Sequence, residues 1–355
     1  MKEGSIILVG GPASGKTNYI ARLWLAFAAR KGKLRAKNLP GNIEYVNQAV
    51  AHLQSRRFAP RSDKNMDESG RRDFSIEVCG NEGAGEPRSL TVPDITGELW
   101  SRAIKTYELP DEWVAALKAS SSAILFIRAH SKFNPQPMDW VTAREILQGH
   151  EDEDDDDHDD DDDTYGDDED EDGEPIETAG APKVTVQGDE EAETVVVTMP
   201  PMEAEPGGEQ AADGYQSDVV WKRDVLPAQV GFCELLRYLA LLLRKRPDGT
   251  KPRVAVVVTA WDMLDGGATA ASPMQYLENE FPMLAGRIKT PGRLDIELFG
   301  MSIVGGNLRG APNKPFRDSL KGRDLSEVGY TAVMQKGVLV HDPDVTLPLA
   351  WALGD

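Results

Sequence analysis

The segment Gly10-Gly11-Pro12-Ala13-Ser14-Gly15-Lys16-Thr17 holds two glycines, a lysine and a hydroxyl residue in the spacing G-x-x-x-x-G-K-[ST]. Each residue type has a physical task. Gly10 and Gly15 let the backbone turn tightly, so that successive N–H groups converge on phosphate oxygens. The start of the following helix adds a favourable dipole for an anion. Lys16 brings a compact positive charge towards the β- and γ-phosphates, and Thr17 offers a hydroxyl to Mg²⁺. The flanks suit this reading: Ser5-Ile-Ile-Leu-Val9 is a short apolar run of the kind that forms a buried parallel strand, and Thr17 to Arg30 reads as a helix rich in alanine and leucine.

A second patch of chemistry is Leu90-Thr-Val-Pro-Asp94-Ile-Thr-Gly97-Glu98. After a strand, Asp94 would hold Mg²⁺ through water, and the Gly97 N–H would reach the γ-phosphate, a hydrogen bond that ends when that phosphate leaves. The same residues also fit an ordinary Asp–Gly turn. Pro93 cannot donate to a sheet, so the strand is expected to end or open there.

Together these motifs resemble those of the P-loop GTPases of the translation-factor-related class. The family's remaining element, N/T-K-x-D on a later buried strand, is matched by Thr259-Ala260-Trp261-Asp262. By that resemblance, Asp262 accepts from the guanine N1–H and exocyclic amine, and Thr259 ties this loop to the phosphate loop. Ala260 replaces the usual lysine, whose stem packs over the base, and Trp261 could stack there instead. Met301-Ser302-Ile-Val304 matches the family's base loop loosely. Glu98 stands where the family often has Gln or His to orient the attacking water. Lys16 and Glu98 are thus the candidate catalytic residues. Ser62 is the candidate switch hydroxyl for magnesium, with Thr17 and Asp94. The nucleotide would touch Gly10, Gly11, Ala13, Ser14, Gly15, Lys16, Thr17, Gly97, Thr259 and Asp262.

More narrowly, Gly10–Leu25, Val92–Glu98 and Thr259–Leu264 resemble bacterial double-GTPase domains, components of multi-gene conflict (defence) systems. The resemblance implies a Ras-like α/β fold: a mostly parallel sheet with one antiparallel edge hairpin strand and helices on both faces. It also implies GTP or GDP with Mg²⁺ as cofactors, slow Mg²⁺-dependent GTP hydrolysis, and a regulatory role beside partner proteins. Two other readings stay open: an ATPase or P-loop phosphotransferase, and a nucleotide-binding scaffold without turnover.

The elements that must position these residues alternate. Strands are expected at Phe74–Cys79, Leu90–Val92, Ala123–Ile127, Val254–Val258 and within Leu294–Val304. Helices are expected at Asn42–Leu53, Trp100–Ala119, Trp140–Leu147, Gln229–Arg246, Pro273–Arg287 and Val345–Leu353. Such alternation points to an α/β sheet covered on both faces.

Charge is concentrated in one place. The 355 residues carry 60 acidic and 39 basic side chains, a formal charge of −21. Residues 151–220 hold 29 of the acidic groups and a single basic one, Lys183, which leaves 31 acidic and 38 basic elsewhere. The remainder is therefore mildly basic, and overall charge is no guide to partners. Such an acidic stretch lacks the apolar surface to offset the entropy of ordering. Residues 1–149 and 219–355 are accordingly expected to form one domain, interrupted by a disordered acidic insertion at 150–218. The insertion reads as a self-repelling spacer, as a docking tail for a basic protein, or as a decoy that keeps nucleic acid away. Expected partners are guanine nucleotide and other proteins, a second GTPase or a basic protein among them; direct nucleic-acid binding is not expected.

No apolar run approaches the length that spans a bilayer, and the first residues lack the pattern of a signal peptide. Cys79 and Cys233 have no metal-like spacing and are expected as buried free thiols. These features favour the cytoplasm.

Overall fold

Short, continuous apolar runs rich in β-branched residues build a sheet with two buried faces. The computed structural model describes residues 2–37, 44–60, 71–80, 88–95, 97–131, 134–135, 226–264 and 272–354. The chain divides into one unit of Met1–Leu147 with Arg223–Asp355 and another of Gln148–Lys222. The second unit, and with it the whole of the expected acidic insertion, lies outside the described residues, as does the helix expected at Trp140–Leu147.

Among the described residues nine strands form one sheet: β1 (Lys2–Val9), β2 (Leu34–Ala36), β3 (Arg71–Gly80), β4 (Arg88–Ile95), β5 (Ser122–Arg128), β6 (Arg253–Thr259), β7 (Asp295–Ser302), β8 (Tyr330–Gln335) and β9 (Val338–Asp342). Their order is β2-β3-β4-β1-β5-β6-β7-β8-β9. The central run from β4 to β7 is parallel, and the pairs outside it are antiparallel. The expected hairpin is β3–β4. The β8–β9 hairpin adds a second antiparallel edge beyond the one expected.

Among the described residues the helices are α1 (Lys16–Ala28), α2 (Glu44–Gln54), α3 (Gly97–Thr106), α4 (Asp111–Ala119), α5 (Ala228–Leu242), α6 (Pro273–Glu280), α7 (Pro282–Lys289), α8 (Lys314–Ser319) and α9 (Leu347–Leu353). The period of two sorts each strand between them. Ile6, Leu8, Ile124, Phe126, Ala255 and Val257 join α1, α2 and α9 in one core. Ile7, Val9, Leu125, Ile127, Val254, Val256 and Val258 join α3 to α7 in the other. Each fully buried branched or aromatic side chain contributes about 1.5–3 kcal/mol relative to exposure, so both layers are held firmly.

Several expectations need correcting. The helix expected over Trp100–Ala119 is two helices, broken where Pro110 starts α4 from an extended conformation. The one over Pro273–Arg287 also breaks, because Pro282 opens α7 after Phe281 leaves helical geometry. Strand β4 continues through Pro93, which stays opposite Asp73 of β3. On the β1 side the ladder lapses between Ser5–Thr91 and Leu8–Asp94, so the strand opens there without ending. Cys79 and Cys233 are free thiols, but half-buried. The three-residue strand β2 covers β3 only thinly, and Arg35 reaches the Cys79 sulfur at 3.3 Å. Among the described residues no helix is long and apolar enough to cross a membrane.

Candidate nucleotide site

The parallel run brings the carboxyl ends of β1, β4, β5, β6 and β7 to one rim. Ligands of open α/β sheets bind at such a rim. Here the rim carries Gly10 after β1, Asp94 on β4, Thr259 at the end of β6 and Ser302 at the end of β7.

The loop after β1 is built by local sterics. A Cβ on Gly10 would lie 2.8 Å from both Phe126 O and Ser14 Oγ, so no side chain fits there. Gly15 is left-handed (φ 91°) and so is Ala13 (φ 53°). Left-handed residues among right-handed ones turn successive N–H groups towards one concavity, a shape that binds anions. Gly15 caps α1 without help from any side chain. The first helical bond runs from Tyr19 N to Gly15 O at 2.9 Å, so the first-turn amides are not used by the helix ladder.

Lys16 is only 7% exposed. Its ammonium donates to Gly10 O (2.8 Å), Gly11 O (3.3 Å) and Ser14 Oγ (3.4 Å). These bonds fix the charge over the loop, so little ordering is left to be done when an anion arrives. Thr17 follows at the start of α1, half-buried.

Gly97, the first residue of α3, backs directly onto this loop. A Cβ there would lie 2.3 Å from the Gly11 carbonyl carbon and 2.3 Å from the Pro12 nitrogen. The backbones of the two motifs thus touch at a point where only glycine fits. Asp94 stands opposite Leu8 in the β1–β4 register, one residue before β1 ends. Glu98 is the second residue of α3. Ser62 lies outside the described residues; the chain before it is tied to α1 by Ala59 N donating to Asn18 Oδ1 at 2.9 Å.

The other half of the site forms around β6 and β7. Thr259, 3% exposed, donates its hydroxyl to Ser14 O at 2.9 Å and so joins the loop after β6 to the loop after β1. Ala260, where the resemblance places lysine, is left-handed (φ 55°) and opens a short 3₁₀ turn, Trp261–Met263. Asp262, half-buried, accepts from Ser302 Oγ at 2.5 Å. The fully buried Ser302 in turn accepts from Gly305 N at 3.0 Å. The loosely matching Met301–Val304 segment therefore meets the carboxylate directly, a link the sequence hinted at only through a serine after a strand.

One expectation fails here. Trp261 cannot stack on a base, because it is 1% exposed and lies against Gly300, where a Cβ would meet the indole at 2.4 Å. An indole is large enough to fill the space between β7 and Tyr276, and burial there wins over exposure at the rim.

A glycine-formed nest of amides after β1 and an acidic loop after β6, on a mainly parallel sheet, have the form of a P-loop nucleotide-binding fold. Residues 7–352 match the family model for Double-GTPase 1, and the chain belongs to that family. It is therefore a GTP-binding protein of the P-loop class. Comparison with curated proteins gives no match.

Proposed function

We propose that the protein is a regulatory switch that hydrolyses GTP slowly and changes its partner interactions when the γ-phosphate leaves. The observation that carries this reading is the close approach of Gly97 to Gly11 and Pro12. A backbone that already touches the phosphate loop responds to whether a γ-phosphate occupies the loop's mouth.

In this reading Lys16 neutralises the β- and γ-phosphate charge, and the loop amides of Ala13 to Thr17 bind the oxygens. Thr17 and Asp94 offer hard oxygen donors, a hydroxyl and a carboxylate, which suits Mg²⁺ retaining most of its waters. When bound, that ion would neutralise charge on the phosphate oxygens; Ser62 would join its ligands. The Gly97 amide donates to the γ-phosphate. Asp262, oriented by Ser302, accepts from the guanine N1–H and exocyclic amine. Adenine has neither donor at those positions, so a carboxylate there favours guanine.

Glu98 is the proton acceptor for the attacking water. A carboxylate beside a triphosphate also repels it, and for that reason intrinsic turnover is slow and a partner's arginine accelerates it. The partner belongs to a defence assembly, another GTPase or a basic protein docking on the acidic segment. The domain is formed by residues 1–149 and 219–355, interrupted by that segment.

The test is phosphate release from GTP with Mg²⁺, measured alone and with co-purified partners. Slow release that partners stimulate supports the switch. No release under any of these conditions leaves a nucleotide-binding scaffold and rejects turnover.

A further inference from the structure

Arg22 sits on the inward face of α1 and is 1% exposed. Burying a guanidinium is unfavourable unless its N–H groups are matched. Burial lowers its pKa to about 10, which still leaves it charged at neutral pH. Its direct hydrogen-bond partners are main-chain carbonyls, reached by Nε and Nη2, while its buried Nη1 has no hydrogen-bond partner among the described residues. Nε donates to Val328 O at 3.0 Å, and Nη2 to Val328 O at 2.7 Å and Ser326 O at 3.0 Å. A methionine would fill the same space without the desolvation cost. The arginine adds something an apolar side chain cannot: a planar fork that fixes the direction of two carbonyls some 300 residues away in the chain. At the outer end of the same turn Lys31 pairs with Asp324 at 3.2 Å and Glu327 at 2.5 Å.

That turn is the back wall of the base loop. Gly329 follows Val328 with φ 78°, and a Cβ on it would lie 2.3 Å from Ile303 O and 2.5 Å from Ser302 O. A Cβ on Gly305 would meet Gly329 N at 3.9 Å. The Ser302–Ile303 end of the turn therefore rests on Gly329, with Gly305 lying nearby, and Ser302 Oγ is the group that holds Asp262.

We infer that Arg22 is a positioning residue for base recognition: from the phosphate-loop helix it clamps the Ser326–Val328 turn, and Gly329 transmits that position to Ser302 and Asp262. The inference rests on the reading of Asp262 as the guanine acceptor. It makes the phosphate-binding helix and the base-binding loop parts of one braced unit, coupled behind the site as well as through Thr259.

The experiment compares guanosine with inosine triphosphate, which lacks the exocyclic amine, and uses inorganic tripolyphosphate as a probe of the loop alone. Affinities are measured on the full chain by calorimetry. In the wild type GTP binds more tightly than ITP, by about tenfold for one hydrogen bond to a carboxylate. Arg22→Met brings that ratio close to one while tripolyphosphate affinity stays within about twofold. Arg22→Lys, which keeps the charge and can reach one carbonyl, gives an intermediate ratio. Gly329→Ala, acting from the other end, also lowers the ratio; with Arg22→Lys it decides the matter if Arg22→Met does not fold. Folded variants that keep the wild-type ratio, or that lose tripolyphosphate in step with GTP, overturn the inference and leave base reading by Asp262 intact. A wild type that binds GTP and ITP equally overturns the Asp262 assignment and the inference with it.

Discussion

Replacing Gly97 by alanine places one methyl group where the phosphate loop already stands. The new Cβ would lie 2.3 Å from the Gly11 carbonyl carbon and the Pro12 nitrogen, and 2.4 Å from Gly11 O. Carbon atoms at van der Waals separation prefer about 3.5–4.0 Å, so the start of α3 must withdraw by roughly 1 Å or more. The obstructing atoms are backbone, and no rotamer change can relieve them. Overpacking of this kind costs about 1–3 kcal/mol of stability. A 1 Å withdrawal also breaks an N–H bond to a γ-phosphate, and a hydrogen bond to a charged group contributes about 1.5–3 kcal/mol. GTP affinity therefore falls about 10- to 150-fold, while GDP, which has no γ-phosphate, is held as before. Titration calorimetry with GDP and a non-hydrolysable GTP analogue reads both numbers. A folded Gly97→Ala protein with an unchanged GTP-to-GDP affinity ratio refutes the reasoning, because the glycine would then have only a packing role.

Other perturbations separate the parts of the site. Lys16→Ala removes the fixed charge over the loop and abolishes GTP binding in calorimetry; unchanged affinity rejects the loop as the phosphate site. Thr259→Val keeps the shape but leaves Ser14 O without the donor it has at 2.9 Å. An unpaired buried carbonyl costs about 1–3 kcal/mol, seen as a lower urea midpoint with weaker binding of every nucleotide tested. Thr17→Val removes the hydroxyl assigned to magnesium, so the difference in GTP affinity between Mg²⁺ and EDTA shrinks; a wild-type difference contradicts that assignment.

What the sequence made legible was local. The spacing from Gly10 to Thr17 dictates a backbone shape by itself, and the apolar runs at 5–9, 123–127 and 254–258 show their burial by composition. Legibility failed where distant parts of the chain meet. Nothing near Arg22 distinguishes it from a solvent-facing arginine, because its partners Ser326 and Val328 are remote in the chain. Trp261 looks available because it neighbours Asp262, but the space beside Gly300 decides its place. The β8–β9 hairpin carries only a faint signal: Lys336 and Gly337 both take positive φ, 52° and 81°, in a two-residue turn between its strands. Lysine is not the usual residue there, where asparagine or aspartate before glycine marks such turns. Ser302 is visible only as a weak match, since its meaning depends on Asp262, 40 residues earlier in the chain.

The central claim is a single site that grips a triphosphate after β1 and reads guanine with Asp262. Competition binding tests this directly: labelled GTP is bound to the full chain with Mg²⁺ and challenged with GTP, GDP or ATP at equal concentration. The expected result is displacement by unlabelled GTP and GDP, retention against ATP, and no binding of the label by Lys16→Ala. Displacement by ATP as effective as by GTP would contradict the claim.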